Sequence, residues 1–214
     1  DWYKNLVHVP FGLVSLESGK LSTRKGNVVL MEDLLSEAVK KTAAIIEEKN
    51  PNLPNKEEVA KEVGIGAVIF DDLYNGRIKD IVFSWEKMLS FEGETDPNVQ
   101  YTNARACSVL RKAEEETDGN VDFSLLTYQL TVDNMKLRAS LNDKVKDAAE
   151  RYEPSVVSRY LVDLAQAFNK FYHDNSILNA EENTRKARLA VVKAVSLVLT
   201  SGLALLGIEP PDQL

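Results

Sequence analysis

Lys20-Leu21-Ser22-Thr23-Arg24-Lys25-Gly26-Asn27 packs three cations, two hydroxyls and a glycine into one turn-prone stretch. It follows the apolar-rich run Val7-His8-Val9-Pro10-Phe11-Gly12-Leu13-Val14. Such a segment cannot bury itself, because unpaired buried charge is too costly. It can wrap a polyphosphate. Ammonium and guanidinium groups cancel charge, hydroxyls and backbone N–H groups donate, and glycine lets the backbone come close. A solvated basic hairpin tip has the same composition. The segment is not a P-loop, since six residues separate Gly12 and Gly19 and Leu21 follows the lysine. His8, beside a Val-Pro-Phe strand, reads as a hydrogen-bonded structural histidine rather than a general base. His173 reads as a surface or helix-packing residue.

The elements that position this loop follow from punctuation and periodicity. Val7 to Val14 is expected to be a strand, and Val28-Val29-Leu30 a short extended exit. Glu32-Asp33-Leu34-Leu35 opens a helix with acids in its first turn, where the macrodipole favours them. Helical spacing runs to about Lys49, and Asn50-Pro51-Asn52-Leu53-Pro54-Asn55 then breaks the chain. A helix over Lys56 to Gly64, a close-packing bend at Gly64-Ile65-Gly66 and a helix over Ala67 to Tyr74 are expected next. Asp80 to Trp85 is β-prone. The polar stretch Phe91 to Asn98 is the best boundary, dividing the chain into 1–95 and 96–214.

From Val99 on, the pattern is all-α. Tyr101, Ala104, Cys107-Ser108 and Val109 are expected on the inner face of its first helix. Pro154 opens a long amphipathic segment with Val157, Leu161, Leu164, Phe168 and Phe171 inward. Leu189, Val192, Val195, Val198-Leu199, Leu203 and Leu206 form the last helix face. Residues 127–140 have no clear assignment.

An apolar content of 44% supports a real core, and 214 residues suit one or two domains. No signal-peptide pattern opens the chain. The run Ala194 to Ile208 reads as a buried helix, too short to span a bilayer. Cys107, the only cysteine, excludes an internal disulfide, suits a reducing compartment and is expected to be a small core residue. A net charge of −7 argues against general nucleic-acid binding but leaves room for a local basic face.

Lys20 to Asn27 resembles the KMSKS loop of class I aminoacyl-tRNA synthetases, in the KMSTRKGNVV form of arginyl-tRNA synthetases. His8 to Val14 looks like that family's lead-in strand. Gly64-Ile65-Gly66-Ala67-Val68-Ile69-Phe70-Asp71-Asp72-Leu73 and Asp80-Ile81-Val82-Phe83-Ser84-Trp85 are similar to the segments that follow. Val99-Gln100-Tyr101-Thr102-Asn103-Ala104-Arg105 resembles the QYxHAR opening of the anticodon-binding domain. Asp163-Leu164-Ala165, Phe168-Asn169-Lys170-Phe171-Tyr172 and Leu205-Leu206-Gly207-Ile208 fit the end of that domain.

The resemblance implies a mainly α chain: the end of a Rossmann-type catalytic domain, then an all-α anticodon-binding bundle. It implies ATP-dependent activation of arginine and transfer to tRNA(Arg), in the cytoplasm, with no membrane, as a monomer, with Mg2+ arriving on ATP and no residue assigned as its ligand. The HIGH tetrad does not occur here, so the segment alone is expected to be inactive. The implied phosphate contacts are Lys20, Ser22, Thr23, Arg24, Lys25 and Gly26, with Lys20, Ser22 and Lys25 catalytic. The implied anticodon contacts are Asn98, Gln100, Tyr101, Arg105 and Leu214. Two departures stand out. Thr23 replaces the second lysine of KMSKS, so Lys25 or a lysine outside this chain must supply that charge. Asp96-Pro97-Asn98 and Asn103 replace parts of the usual GPYxQYxHAR pattern, so a stacking ring is lost at Asn98. Other readings are a stand-alone RNA-binding or interaction module, or part of another class I synthetase such as the cysteinyl enzyme. The Lys20–Asn27 loop argues against the first, and the Ser-Thr-Arg-Lys-Gly variant against the second.

Overall fold

A computed structural model describes residues 1–16, 19–20 (backbone only), 29–113, 121–126 and 140–214. The described chain is mainly helical, with one small sheet. Strands β1 (Val14–Leu16), β2 (Gly19–Lys20) and β3 (Ile81–Phe83) form the sheet in the order β2-β1-β3. β1 runs antiparallel to β2 and parallel to β3, with Ser15 opposite Val82.

The expected strand over Val7 to Val14 begins only at Val14. A strand needs a ladder partner, and β3 offers three residues of one; Pro10, moreover, has no N–H to give. Upstream the chain is pinned by single bonds. The Gly12 N–H donates to the Arg77 carbonyl at 2.7 Å, and the Leu13 N–H to Asp80 Oδ1 at 2.8 Å. A Cβ on Gly12 would sit 2.1 Å from the Lys79 carbonyl oxygen, so only glycine lets these segments approach. His8 is exposed, against its expected structural role.

Helix α1 (Met31–Lys49) carries Glu32 and Asp33 in its first turn and buries Ala38, Thr42 and Ile46, spaced four apart along one face. The Pro51–Pro54 break turns the chain into α2 (Lys56–Tyr74), entered through Asn55 in the left-handed region at φ 55°. The bend expected at Gly64–Gly66 is absent, and α2 runs through both glycines unbroken. Their close-packing role is real. A Cβ on Gly64 would lie 3.0 Å from the α1 backbone at Ala38 and Val39.

After the short α3 (Trp85–Met88) come α4 (Asp96–Ala113), α5 (Leu141–Arg151), α6 (Ser155–Asp174) and α7 (Glu182–Leu205). The inward residues expected on α6 are all buried, and so are Leu189, Val192, Val195, Leu199, Leu203 and Leu206 of the last segment. They share one core with Val99 and Val109 of α4 and Phe70 of α2. Each large apolar side chain buried there contributes about 1.5–3 kcal/mol. Helix α7 is long and apolar enough to cross a membrane by length and composition, at mean hydropathy 1.7. The apolar run from Ala194 fills its C-terminal half, and its apolar face packs in the core as expected of a buried helix.

The inner face of α4 differs from expectation. It buries Ala104 and Val109 as expected, together with Val99, Gln100, Asn103 and Ala106, whereas Tyr101 is exposed and Cys107 and Ser108 are half-buried. The pattern was hard to read because polar groups occupy buried positions. Asn103 Oδ1 accepts from the Ser196 hydroxyl at 3.0 Å, which ties α4 to α7. Cys107 is accordingly not a core residue; its Sγ lies 3.4 Å from Ser196 Oγ at the edge of that pair.

Candidate nucleic-acid interface and loop root

The α4–α6 edge gathers residues far apart in sequence. Tyr101 and Arg105, one turn apart on α4, face Asn169 and Tyr172 on α6. The Arg105 guanidinium stands between two rings, 4.8 Å from the Tyr101 centroid and 5.1 Å from that of Tyr172. Its Nη1 donates to Asn169 Oδ1 at 2.5 Å. Asn169 Nδ2 donates to Thr102 Oγ1 at 2.9 Å, and that hydroxyl donates to the Asn98 carbonyl at 2.7 Å. A cation held over two aromatic faces and tied by a hydrogen-bond relay keeps a defined orientation.

This edge forms one wall of a groove of about 720 Å³. Lys49 and Leu53 from the α1–α2 hairpin, Phe91, Asn98 and Leu214 complete it. Phe91 meets Tyr101 edge-on at 6.4 Å, and the Lys49 ammonium lies 5.9 Å above the Phe91 ring. Leu214 packs against the apolar cluster of Ile46, Leu53 and Val59. The groove thus offers aromatic surface, apolar surface and two cations, with Glu48 and Glu92 also in its lining; rings and cations are the groups that hold unstacked bases and their phosphates.

Four of the five residues expected to contact RNA, Asn98, Tyr101, Arg105 and Leu214, line this groove. Gln100 does not. It is fully buried, and its Nε2 donates to Asp96 Oδ2. Residues i and i+1 of a helix face different ways, so Gln100 and Tyr101 cannot share one face. Asn98 braces rather than stacks, its Nδ2 donating to the Gly93 carbonyl at 2.7 Å. Asn169, Phe91 and Lys49 belong to the groove without having been singled out as contacts. Asn169 and Tyr172 at i and i+3 on one helix were the legible signal.

Asp96 and Gln100 make a buried polar pair beneath the interface, where Gly66 of α2 comes close. A Cβ on Gly66 would sit 2.5 Å from Gln100 Nε2 and 2.7 Å from Asp96 Oδ2. Burial pushes the Asp96 carboxyl up to about 7, against the lowering effect of the Gln100 hydrogen bond. Asp96 Oδ1 and Gln100 Oε1, both buried, find no partner among the described residues, and a neutral Asp96 carboxyl is less costly to leave so than an anion. The unfolded-state value is 3.8, so the native state holds the proton more tightly and stability falls as pH rises from about 4 to about 7. Asp96→Asn should remove that dependence. Relative to the parent, the variant gains about 2.5 kcal/mol between pH 5 and pH 8 in urea-unfolding free energy; a constant difference across that range contradicts the assignment.

Of the expected phosphate contacts, Lys20 closes β2 and is described by its backbone alone. Ser22, Thr23, Arg24, Lys25 and Gly26 lie outside the described residues, as do 127–139. The described root of that loop is the β1–β2 pair, with Leu16 opposite Gly19.

Comparison with known proteins places the chain in one family. The model "DALR anticodon binding domain" matches residues 99–214, and "tRNA synthetases class I (R), catalytic domain" matches residues 2–85. An arginine–tRNA ligase of Halothermothrix orenii is 55% identical over all 214 residues, and one of Clostridioides difficile 52% identical. The chain spans 38% of the length of each. The solved arginyl-tRNA synthetase of Thermus thermophilus superposes with a TM-score of 0.88 at 37% identity, covering 95% of this chain and 35% of its own. That of Plasmodium falciparum shares the fold, with a TM-score of 0.79 at 21% identity over 97% of this chain and 35% of its own. The chain belongs to the arginyl-tRNA synthetase family, joining part of the class I catalytic domain to a DALR anticodon-binding domain.

Proposed function

We propose that the whole protein joins arginine to tRNA(Arg) at the expense of ATP. This chain supplies the loop that holds the ATP phosphates (part of a unit over 1–95) and the domain that reads the anticodon (96–214). The arginine carboxylate attacks the α-phosphate, so no protein nucleophile is needed. The protein positions the reactants and neutralises charge developing on pyrophosphate. Lys20 and Lys25 are the cations assigned to that charge. Ser22 braces the loop, Thr23 and Arg24 add donors, and Gly26 allows close approach. Thr23 can donate a hydrogen bond but carries no charge, which throws the electrostatic work on the two lysines.

Mg2+ fits as an ion carried by the ATP phosphates. Mg2+ commonly keeps few protein ligands and is held largely by substrate phosphates. Function as a cytoplasmic monomer belongs to the same reading.

One observation carries the RNA half. Asn98, Tyr101, Arg105 and Leu214 converge on a single groove that also holds a cation and an aromatic edge. A gel-shift titration of the full-length protein tests it. Binding to tRNA(Arg) should exceed binding to the same tRNA with a swapped anticodon by about tenfold or more, since a mismatched base edge costs about 1–3 kcal/mol. Equal affinity for both refutes the assigned face. The isolated chain should show only background pyrophosphate exchange, since it spans 38% of the ligases it resembles.

A further inference from the structure

The segment between α2 and β3 is held from two sides by elements remote from it in sequence. On one side it meets the turn between α5 and α6. Arg77 Nε donates to the Tyr152 carbonyl at 2.9 Å, and its Nη2 to the Arg151 carbonyl at 3.4 Å. The Arg77 backbone N–H donates to Glu153 Oε1 at 3.3 Å, and the same oxygen accepts from the Ser155 hydroxyl at 2.9 Å. One turn further along α6, the fully buried Ser158 donates its hydroxyl to the Leu73 carbonyl at 2.9 Å, near the end of α2. The last carbonyls of a helix have no partner within it and carry the negative end of its dipole, so a forked guanidinium suits them well.

On the other side the segment carries the strand that precedes Lys20. The Arg77 carbonyl accepts from the Gly12 N–H, Asp80 Oδ1 accepts from the Leu13 N–H, and β3 pairs with β1. β1 pairs in turn with β2, whose last residue is Lys20. Arg77 thus bonds in both directions, by its side chain to the helical bundle and by its carbonyl to the approach of β1.

We propose that Arg77 is a positioning residue for adenylate formation. Its guanidinium docks the strand pair that ends in Lys20 onto the C-terminal end of α5, and so sets where the Lys20 backbone stands. It acts through Lys20 rather than on ATP or arginine. The inference rests on the reading that Lys20 meets the ATP phosphates. A guanidinium that only capped α5 would change stability and leave the turnover of folded molecules alone.

The test is pyrophosphate exchange by the full-length protein, at a temperature where every variant is folded by circular dichroism. Arg77→Ala should lower turnover about tenfold and move the KM for ATP far less, since a misplacement of about 1 Å costs up to about 10²-fold. Arg77→Lys keeps the charge but not the planar fork, and should fall between Arg77→Ala and the parent. The decisive measurement pairs each Arg77 variant with Lys20→Ala, which alone should cost about 10²-fold. Residues that act through one another are not additive, so Arg77→Ala should cost less than about threefold more on top of Lys20→Ala. A larger further loss, or parent turnover in Arg77→Ala, refutes the inference and leaves the Lys20 assignment standing. Parent turnover in Lys20→Ala refutes that assignment and the inference with it.

Discussion

Replacing Lys20 and Lys25 together with alanine in the full-length protein is expected to slow adenylate formation by about 10³-fold in pyrophosphate exchange. Removing one preorganised donor from developing charge typically costs about 10²–10³-fold in turnover, and groups that act together are not additive. The loss should fall on turnover more than on ATP affinity, because pyrophosphate carries more charge as it departs than ATP does when bound. Arginine affinity and tRNA affinity should change little, which separates a local electrostatic defect from a folding one. A double variant that forms adenylate at the parent rate removes the phosphate role from this loop. At the described root, Gly12 and Leu13 are bonded to Arg77 and Asp80, and β1 pairs with β3 on one side and β2 on the other.

What the sequence made legible depended on how local the determining physics is. The helices α1, α2, α6 and α7 announce themselves through apolar spacing and through the Asn-Pro break, because burial of one face decides them. The short sheet was half-legible. The β-prone Asp80–Trp85 holds β3 at Ile81–Phe83, though Trp85 opens α3 instead, and where β1 starts is set by how far β3 extends alongside it, a property of the partner. Gly64 and Gly66 resembled a break because glycine is a poor helix former. Their neighbours, the α1 backbone and the Asp96–Gln100 pair, are remote in sequence. The α4 face misled for a related reason. Its buried Gln100, Thr102 and Asn103 look exposed by composition, yet Gln100 bonds Asp96 and Asn103 bonds Ser196 from another helix. The groove was visible only in part. Tyr101 and Arg105 stood out by motif, while Asn169, Lys49 and Phe91 join them only through tertiary packing.

Phe168 offers the complementary experiment, because it supports the interface without lining the groove. Its side chain is fully buried, with the Phe171 ring at 6.3 Å and the Tyr172 ring at 6.4 Å. Phe168→Ala should cost about 3–5 kcal/mol, the transfer of an aromatic ring plus the cavity it leaves. That is a large share of the 5–15 kcal/mol or so that holds a typical domain together. Tyr172→Ala, removing a ring that is 39% exposed, should cost well under half as much. The two variants therefore reverse order between measurements. In urea-unfolding midpoints of the chain Phe168→Ala is the more damaged, whereas in salt-matched RNA binding at a temperature where both remain folded Tyr172→Ala is. The same order in both assays means that the Tyr172 ring serves packing alone, and that the exposed edge of α6 is scaffold rather than binding surface.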